Sequence, residues 1–486
     1  MRLSELLREV EFEGSIKNDF DIKFVTDDSR LVRPGALFVC IRHRSFDGHT
    51  AAAEALASGA AAVVTQERLG LENELNVADS RAAYARLCAA LCGHLERKLR
   101  TIGVTGTNGK TTVTTLIRNI LSDSGIKTLL TGTVCNRLGE ESLPSGLTTP
   151  KPPELYSLLS RAVLSGCEAC VAEASSQALA QGRLEGIAFD AAVFTNITRD
   201  HLDYHGTFEN YLAAKKKLFE HSEVSAVNLD DPRADEIIAA SSGKTVTFST
   251  VLDCADYTAK NISLLPEGVS FELVSKGRIE HINFASPGLF SVSNAMAAAV
   301  CAINLGVDPR SAAQSLARSK GVCGRLERVE CGTPYSVIID YAHTPDGLEQ
   351  VLRALRPSCR GKLIVLFGCG GDRDKTKRPL MGAAACKYAD TVIVTSDNPR
   401  SEEPMKIIGD ILKGTDKKRR GLFIEEDRRR ATALALSLAK PGDTVLLAGK
   451  GHEKYQLICG EKLPLDERET VREILGLPHD TGRKKP

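Results

Sequence analysis

Thr101-Ile102-Gly103-Val104-Thr105-Gly106-Thr107-Asn108-Gly109-Lys110-Thr111-Thr112 is the stretch that decides the fold. Its first five residues suit a buried strand. Beyond Thr111, the side chains Val113, Leu116, Ile117, Ile120 and Leu121 recur on one face at helical spacing, and Gly125 is a stop signal. A strand, a turn with two glycines and then a helix lets backbone N–H groups and a helix N-terminus point at an anion. Lys110 can neutralise outer phosphates, and Thr111 can offer its hydroxyl to Mg²⁺. The loop departs from the standard G-x-x-x-x-G-K-[ST] form, because Val104 stands where the leading glycine belongs. The plain alternative is an ordinary strand-to-helix turn, but Gly-Lys-Thr-Thr and its flanks favour a nucleotide. The guanine-reading string Asn-Lys-x-Asp is absent, which removes the usual mark of a GTP switch.

Working outward, the alternation of strands and helices continues on both sides. Upstream lie strand candidates Ala36 to Ile41 and Ala60 to Val64, with helices at Ala51 to Ala57 and Arg81 to Leu99. Downstream lie strands Ala169 to Glu173, Ala191 to Thr195, Val224 to Leu229 and Thr245 to Ser249. The pattern resumes at Ser336 to Asp340, Lys362 to Phe367, Thr391 to Thr395, Leu422 to Glu425 and Thr444 to Leu447. Such alternation predicts an α/β protein whose sheets are parallel at least in their cores. Three segments are expected: 1–98, 99–324 and 325–486.

A chain of 486 residues fits three domains at about 150 residues each. With 42% hydrophobic and 26% charged residues it is a globular composition. Its 63 basic and 62 acidic side chains leave a net charge of +1, so nothing in bulk attracts nucleic acid or an anionic membrane. An anionic ligand must be held locally, and the basic tail Arg483 to Lys485 is too short to change that. The fourteen cysteines are scattered, several within apolar stretches, and predict reduced thiols rather than disulfides. Met1 to Gly14 carries four glutamates and does not read as a signal peptide. The tract Ala51 to Val64 is broken by Glu54 and is shorter than a membrane span. A soluble, cytoplasmic protein with no membrane insertion is expected.

Glu173 ends an apolar strand near the phosphate loop, a good position for a magnesium carboxylate. Thr195-Asn196-Ile197-Thr198-Arg199-Asp200-His201-Leu202-Asp203-Tyr204-His205-Gly206 packs Asn, Asp and His densely behind another strand, which points to a site. Tyr211 to Phe219, with Lys215, Lys216 and Lys217, reads from spacing alone as an amphipathic helix with a solvated lysine face. Ligands of open α/β sheets bind at the carboxyl ends of strands. The loops Asp340 to Asp346, Gly368 to Pro379, Asp397 to Pro404 and Gly449 to Glu453 are therefore expected to converge.

Taken together, these motifs resemble the Mur ligase family across nearly the whole chain. The resemblance also rests on Asp28-Ser29-Arg30, Thr148-Thr149-Pro150, Glu173-Ala174-Ser175-Ser176 and Cys323-Gly324-Arg325-Leu326-Glu327. It implies three domains that receive a uridine nucleotide, ATP and an amino acid in turn. It implies ATP-driven amide formation through an acyl phosphate in peptidoglycan synthesis, on a UDP-N-acetylmuramoyl dipeptide, by a monomer. For ATP, the resemblance points to Gly106 through Thr112, Asn294, Arg325, Asp340 and His343. For magnesium it points to Thr111, Glu173, His201 and Lys215, the last as a carbamate. Lys110, Lys215 and His201 would be catalytic. Ser29, Thr148, Thr149, Ser175, Gln181 and Arg183 would bind the uridine substrate, with Arg42 to His49 nearby.

Asp397-Asn398-Pro399-Arg400 resembles the signature of family members that add meso-diaminopimelate. Diaminopimelate carries a second carboxylate that lysine lacks, and an Arg fork suits it. Arg373, Gly449 and Glu453 would complete this amino-acid site. Gln177 replaces a common His, Ala174 a common Val, and the pattern around Arg42-His43-Arg44 is loose. Addition of L-lysine, a folylpolyglutamate- or cyanophycin-type ligase, and a non-catalytic nucleotide-binding regulator remain the alternatives at this point.

Overall fold

The computed structural model describes residues 1–478, apart from 44, 45, 266, 320, 417 and 418. Arg44 of the expected uridine tract and the basic tail Arg483 to Lys485 therefore lie outside the described residues. The remainder forms three α/β layers in series. The first holds a four-stranded parallel sheet in sequential order, Phe24–Thr26, Ala36–Val39, Ala62–Thr65 and Glu74–Asn76. Helix Ser80–Leu91 packs on it. The sequence predicts that helix running on to Leu99, but Gly93 and His94 both take positive φ, 70° and 51°. A short 3-10 turn, Leu95–Lys98, then leads into the second layer.

The second layer is an eleven-stranded sheet. Seven neighbouring strands run parallel: Tyr257–Leu265, Lys244–Ser249, Ser222–Asn228, Phe189–Phe194, Arg100–Thr105, Ala169–Glu173 and Thr128–Thr131. Antiparallel strands finish both edges. Arg100–Thr105 lies between Phe189–Phe194 and Ala169–Glu173. The turns leaving these three strands therefore share one end of the sheet. Helix Lys110–Asp123 buries Val113, Leu116, Ile117, Ile120 and Leu121, the face that its periodicity predicts. It packs against Leu289–Asn304, a helix buried along most of its length because its residues are small and apolar all round.

The third layer is a six-stranded sheet in the order Glu327–Arg328, Ser336–Asp340, Thr444–Ala448, Leu363–Phe367, Thr391–Val394 and Leu422–Ile424, parallel except for the first pair. A hairpin, Tyr455–Ile458 with Glu461–Pro464, lies beside it. All fourteen cysteines are free thiols. Among the described residues, no helix is long and apolar enough to cross a membrane.

Candidate active site

The phosphate loop is shaped by close backbone approach. Gly106 has φ 155°, and a Cβ there would lie 1.9 Å from Thr195 Oγ1. Gly109 has φ 89°, and a Cβ would lie 2.5 Å from Asn294 Oδ1. Only glycine fits such positions without strain. The Asn108 backbone N–H donates to Asn196 Oδ1 at 3.0 Å, and Thr107 Oγ1 meets the Tyr211 hydroxyl at 2.9 Å. Lys110 Nζ folds back onto the Gly106 and Thr107 carbonyls at 2.8 and 2.9 Å. Burial depresses its pKa, with Glu173 and Asp200 opposing.

Glu173 ends the neighbouring strand and is 1% exposed. It accepts from Thr111 Oγ1 at 3.0 Å, from the Thr133 backbone at 2.8 Å and from Thr133 Oγ1 at 2.9 Å. Thr133 is a partner that sequence reading misses, because the short strand before it gives no signal. Asp200 and His201 follow the strand on the other side. Burial works to raise Asp200, but His201, His343 and Lys377 outweigh it and hold its pKa below the usual value. His201 takes φ 53°, and its ring is half exposed at the cleft. Burial lowers its pKa.

Lys215 is 1% exposed, not on a solvated face. Its Nζ lies 4.6 Å from the Tyr211 ring centroid and 3.5 Å from Thr105 Oγ1. Burial, then the charge of Lys110, drives its pKa well below that of a free lysine. The amine is therefore biased to the neutral form that can add CO₂. Among the described residues, no three His, Cys, Asp or Glu side chains are grouped tightly enough to hold a metal alone. The oxygen donors on offer are the Thr111 hydroxyl and the Glu173 carboxylate. That sparse oxygen set fits Mg²⁺, which keeps several waters and shares substrate phosphates.

The third layer closes the cleft. Arg325 crosses to Thr111 Oγ1 at 3.2 Å and stacks on Tyr341, its guanidinium 4.7 Å from the ring centroid. Asp340 is buried, accepting from the Leu326 and Ala342 backbones at 2.7 Å each. Burial raises its pKa against the pull of Arg325. His343 Nδ1 meets the Tyr341 carbonyl at 2.9 Å, and burial, then Lys377, lowers its pKa to about 4. Asn294 also lines the cleft, and Asp346 reaches Asn108 Nδ2 at 3.1 Å.

Beside Glu173, Thr149 Oγ1 donates to the Glu173 carbonyl at 2.7 Å and meets Ser175 Oγ at 3.1 Å. Thr148 Oγ1 meets Thr133 Oγ1 at 3.1 Å. Arg183 donates to the Thr149 carbonyl at 2.8 Å and to Gln181 Oε1 at 2.7 and 3.0 Å. Burial lowers the Arg183 pKa. Lys151 reaches Asp27 of the first layer at 2.9 Å, so the turn carrying Ser29 faces this cluster's edge.

The loops of the third sheet build a second cluster. Arg400 takes φ 54° and donates to the Gly371 carbonyl at 2.6 Å. Among the described residues, no carboxylate lies within ion-pair distance of its guanidinium. Arg373 is exposed, and a Cβ on Gly370 would lie 2.8 Å from Arg400 and 3.8 Å from Arg373 Cγ. Asp397 is buried and accepts from the Asn398 backbone at 2.6 Å, while its other oxygen crowds Gly449. Pro399 packs its carbonyl against Gly371. Glu453 Oε2 is taken by Lys450 at 2.7 Å and Asn398 Nδ2 at 2.9 Å, partners that sequence reading does not foresee.

A phosphate loop, a strand-end carboxylate and a buried helical lysine around one sheet, closed by an arginine from the next, define an ATP-dependent amide-forming ligase, and the chain belongs to the Mur ligase family. Residues 21–89 match the Mur ligase family catalytic domain, 104–302 the Mur ligase middle domain and 324–451 the Mur ligase glutamate ligase domain. The chain is 42% identical over 487 residues to the UDP-N-acetylmuramoyl-L-alanyl-D-glutamate--2,6-diaminopimelate ligase of Syntrophomonas wolfei, covering 98% of this chain and 99% of that one. The protein of the same name from Caldanaerobacter subterraneus is 43% identical over 479 residues, with the same coverage. A solved structure bearing that name is 35% identical, covers 98% of this chain and 99% of its own, and superposes with a TM-score of 0.71. Mur ligases use ATP and Mg²⁺.

Proposed function

We propose that this chain joins meso-2,6-diaminopimelate to UDP-N-acetylmuramoyl-L-alanyl-D-glutamate at the expense of ATP, as a cytoplasmic monomer of three units dividing near residues 98 and 324. The amino-acid assignment is carried by Arg400, a guanidinium with no carboxylate partner among the described residues. It faces a loop where a distal carboxylate can dock.

In this reading the Gly106 to Thr112 loop holds the triphosphate on its backbone. Lys110 leaves the loop carbonyls to neutralise the outer phosphates. Asn294, Arg325, Asp340 and His343 secure the nucleotide from the facing side. Ser29, Thr148, Thr149, Ser175, Gln181 and Arg183 hold the uridine substrate, with Arg183 as a carboxylate or phosphate clamp. Thr111, Glu173, His201 and carbamylated Lys215 would hold Mg²⁺, which when bound supplies charge neutralisation between phosphate groups. The substrate's γ-carboxylate attacks the γ-phosphorus, ADP leaves, and an acyl phosphate remains. The amine of the amino acid attacks its carbonyl carbon, loses a proton and expels phosphate. Positioning and electrostatics supply most of the rate in such transfers.

The test is phosphate release with the uridine dipeptide, comparing meso-diaminopimelate with L-lysine. Preference for diaminopimelate is expected, and preference for lysine would overturn the assignment. A folate in place of the uridine substrate should give no turnover.

A further inference from the structure

We infer that Lys450 is a positioning residue that sets selectivity for an amino acid with both a distal carboxylate and a distal ammonium. The inference rests on the amino-acid site proposed above. Lys450 follows strand Thr444–Ala448 and is wholly buried. Its ammonium donates to Asn398 Oδ1 at 2.7 Å and to Glu453 Oε2 at 2.7 Å, and the Tyr455 ring lies 5.6 Å away. Asn398 closes the triangle, its Nδ2 donating to the same Glu453 oxygen at 2.9 Å. The Leu457 N–H also donates to Asn398 Oδ1 at 2.9 Å. With two donors on Oδ1 and an acceptor at Nδ2, the Asn398 amide has only one satisfactory orientation.

This triangle ties the loop carrying Arg400 to the loop carrying Glu453. The Arg400 backbone is pinned to the same hairpin, donating to the Leu457 carbonyl at 3.0 Å, while its own carbonyl accepts from Cys459 at 2.7 Å. One buried ammonium therefore fixes the relative position of a cationic and an anionic group on the site wall. It also sets their charge balance. Glu453 has one oxygen occupied and its charge partly compensated, whereas the Arg400 guanidinium donates only to the Gly371 carbonyl and feels the Asp372 carboxylate from beyond ion-pair distance. The wall is net attractive to a carboxylate while still offering a polar oxygen edge to an ammonium. With the Lys450 charge removed, Glu453 would be an unbalanced anion on the loop that the triangle ties to the Arg400 loop. It would repel the ligand's distal carboxylate and favour a ligand with an ammonium alone.

The experiment measures kcat and KM for meso-diaminopimelate and L-lysine with wild type, Lys450→Met and Lys450→Arg. The expected result for Lys450→Met is a fall of at least tenfold in the ratio of kcat/KM for diaminopimelate over lysine. The change should sit in KM for the amino acid, with KM for ATP and the uridine dipeptide within about twofold of wild type. Lys450→Arg should restore most of the ratio. Should Lys450→Met be insoluble, Lys450→Gln, which removes the charge and can still hydrogen-bond Asn398 and Glu453, should show the same fall in the ratio, and an unchanged ratio there overturns the inference as well. An unchanged ratio in Lys450→Met, or loss spread equally over all three substrates, overturns the inference. If wild type itself does not use diaminopimelate, it is the amino-acid assignment that fails instead.

Discussion

Thr111 donates its hydroxyl to Glu173 Oε2 at 3.0 Å, so the first turn of the loop helix and the end of the adjacent strand meet at a single hydrogen bond. Neither residue is near the other in sequence, yet parallel pairing of Arg100–Thr105 with Ala169–Glu173 makes the encounter unavoidable. The Thr133 contacts hold the carboxylate in place. Glu173→Gln keeps the shape and removes the charge. Phosphate release should fall by about a hundredfold or more, in the range seen for loss of one preorganised electrostatic group. The Mg²⁺ concentration for half-maximal rate should rise. A variant with wild-type magnesium dependence would remove Glu173 from the metal region.

Gly109 offers a separate test of the loop. Its φ of 89° and the 2.5 Å separation between Asn294 Oδ1 and a methyl added there make alanine unfavourable on two counts. The backbone term alone costs about 1 kcal/mol or more. Gly109→Ala should raise KM for ATP at least tenfold and leave the affinity for the uridine dipeptide nearly unchanged. Binding of a nucleotide analogue by calorimetry separates the two.

The loop is legible in sequence because its chemistry is contiguous: strand, glycines, lysine and helix arrive in a dozen residues. The Ala169–Glu173 and Ser336–Asp340 strands are legible to the residue because each is a short buried run ending in an acid. The strands from Tyr257 to Phe284, the last two of them antiparallel, are not. They sit at a sheet edge with one face in solvent, and Lys260, Asn261, Glu272 and Glu280 interrupt any apolar run. Strand Glu74–Asn76 is too short to show a period. Lys215 is the sharpest failure of spacing. Three consecutive lysines look solvated, and in the sequence only the family resemblance singles out the one that is buried. The partners of Glu453 are invisible because Asn398 and Lys450 are 52 residues apart in sequence.

Buried His205 and half-buried His343 and His452 make the fold sensitive to acid. Burial lowers His205 and His343 to about 4 and His452 to about 3. Each would take a proton near pH 6.5 once unfolded. The unfolded chain therefore binds more protons between about pH 6.5 and 4, and stability rises with pH across that window. The contribution is full above about pH 6.5 and is lost as pH falls toward 4. The apparent melting temperature should drop across this range. His205→Gln, which can keep a hydrogen bond to Ser176, should show a shallower drop. An identical profile would mean that His205 titrates normally in the folded protein.

Arg400→Ala removes the fork from the amino-acid site without cutting a salt bridge among the described residues. Its lost contact to the Gly371 carbonyl is a single hydrogen bond, worth about 1 kcal/mol of stability. The effect on substrate should be larger, because a distal carboxylate left unpaired in a partly desolvated site costs more than a contact in water. The expected outcome is a fall of about a hundredfold in kcat/KM for meso-diaminopimelate, with L-lysine changed by less than about fivefold. Equal losses for both amino acids would assign Arg400 to scaffolding.

Lys215 carries the most specific chemical expectation. Its Nζ is sealed against the Tyr211 ring and faces the positive charge of Lys110, so the free ammonium is disfavoured there. Adding CO₂ to the neutral amine forms an N–C bond, releases one proton and leaves a carbamate anion, turning repulsion by Lys110 into attraction. Activity in CO₂-depleted buffer should therefore decline on dialysis and return with bicarbonate. Mass spectrometry under mild conditions should find an added carboxyl group on the peptide containing Lys215. Lys215→Ala should lose at least about a hundredfold in phosphate release and recover part of it with short carboxylic acids, which can occupy the vacated space and supply the missing oxygens. Wild-type turnover in Lys215→Ala, together with no response to bicarbonate, would leave the buried amine a structural element and require the metal region to be built from Thr111, Glu173 and His201.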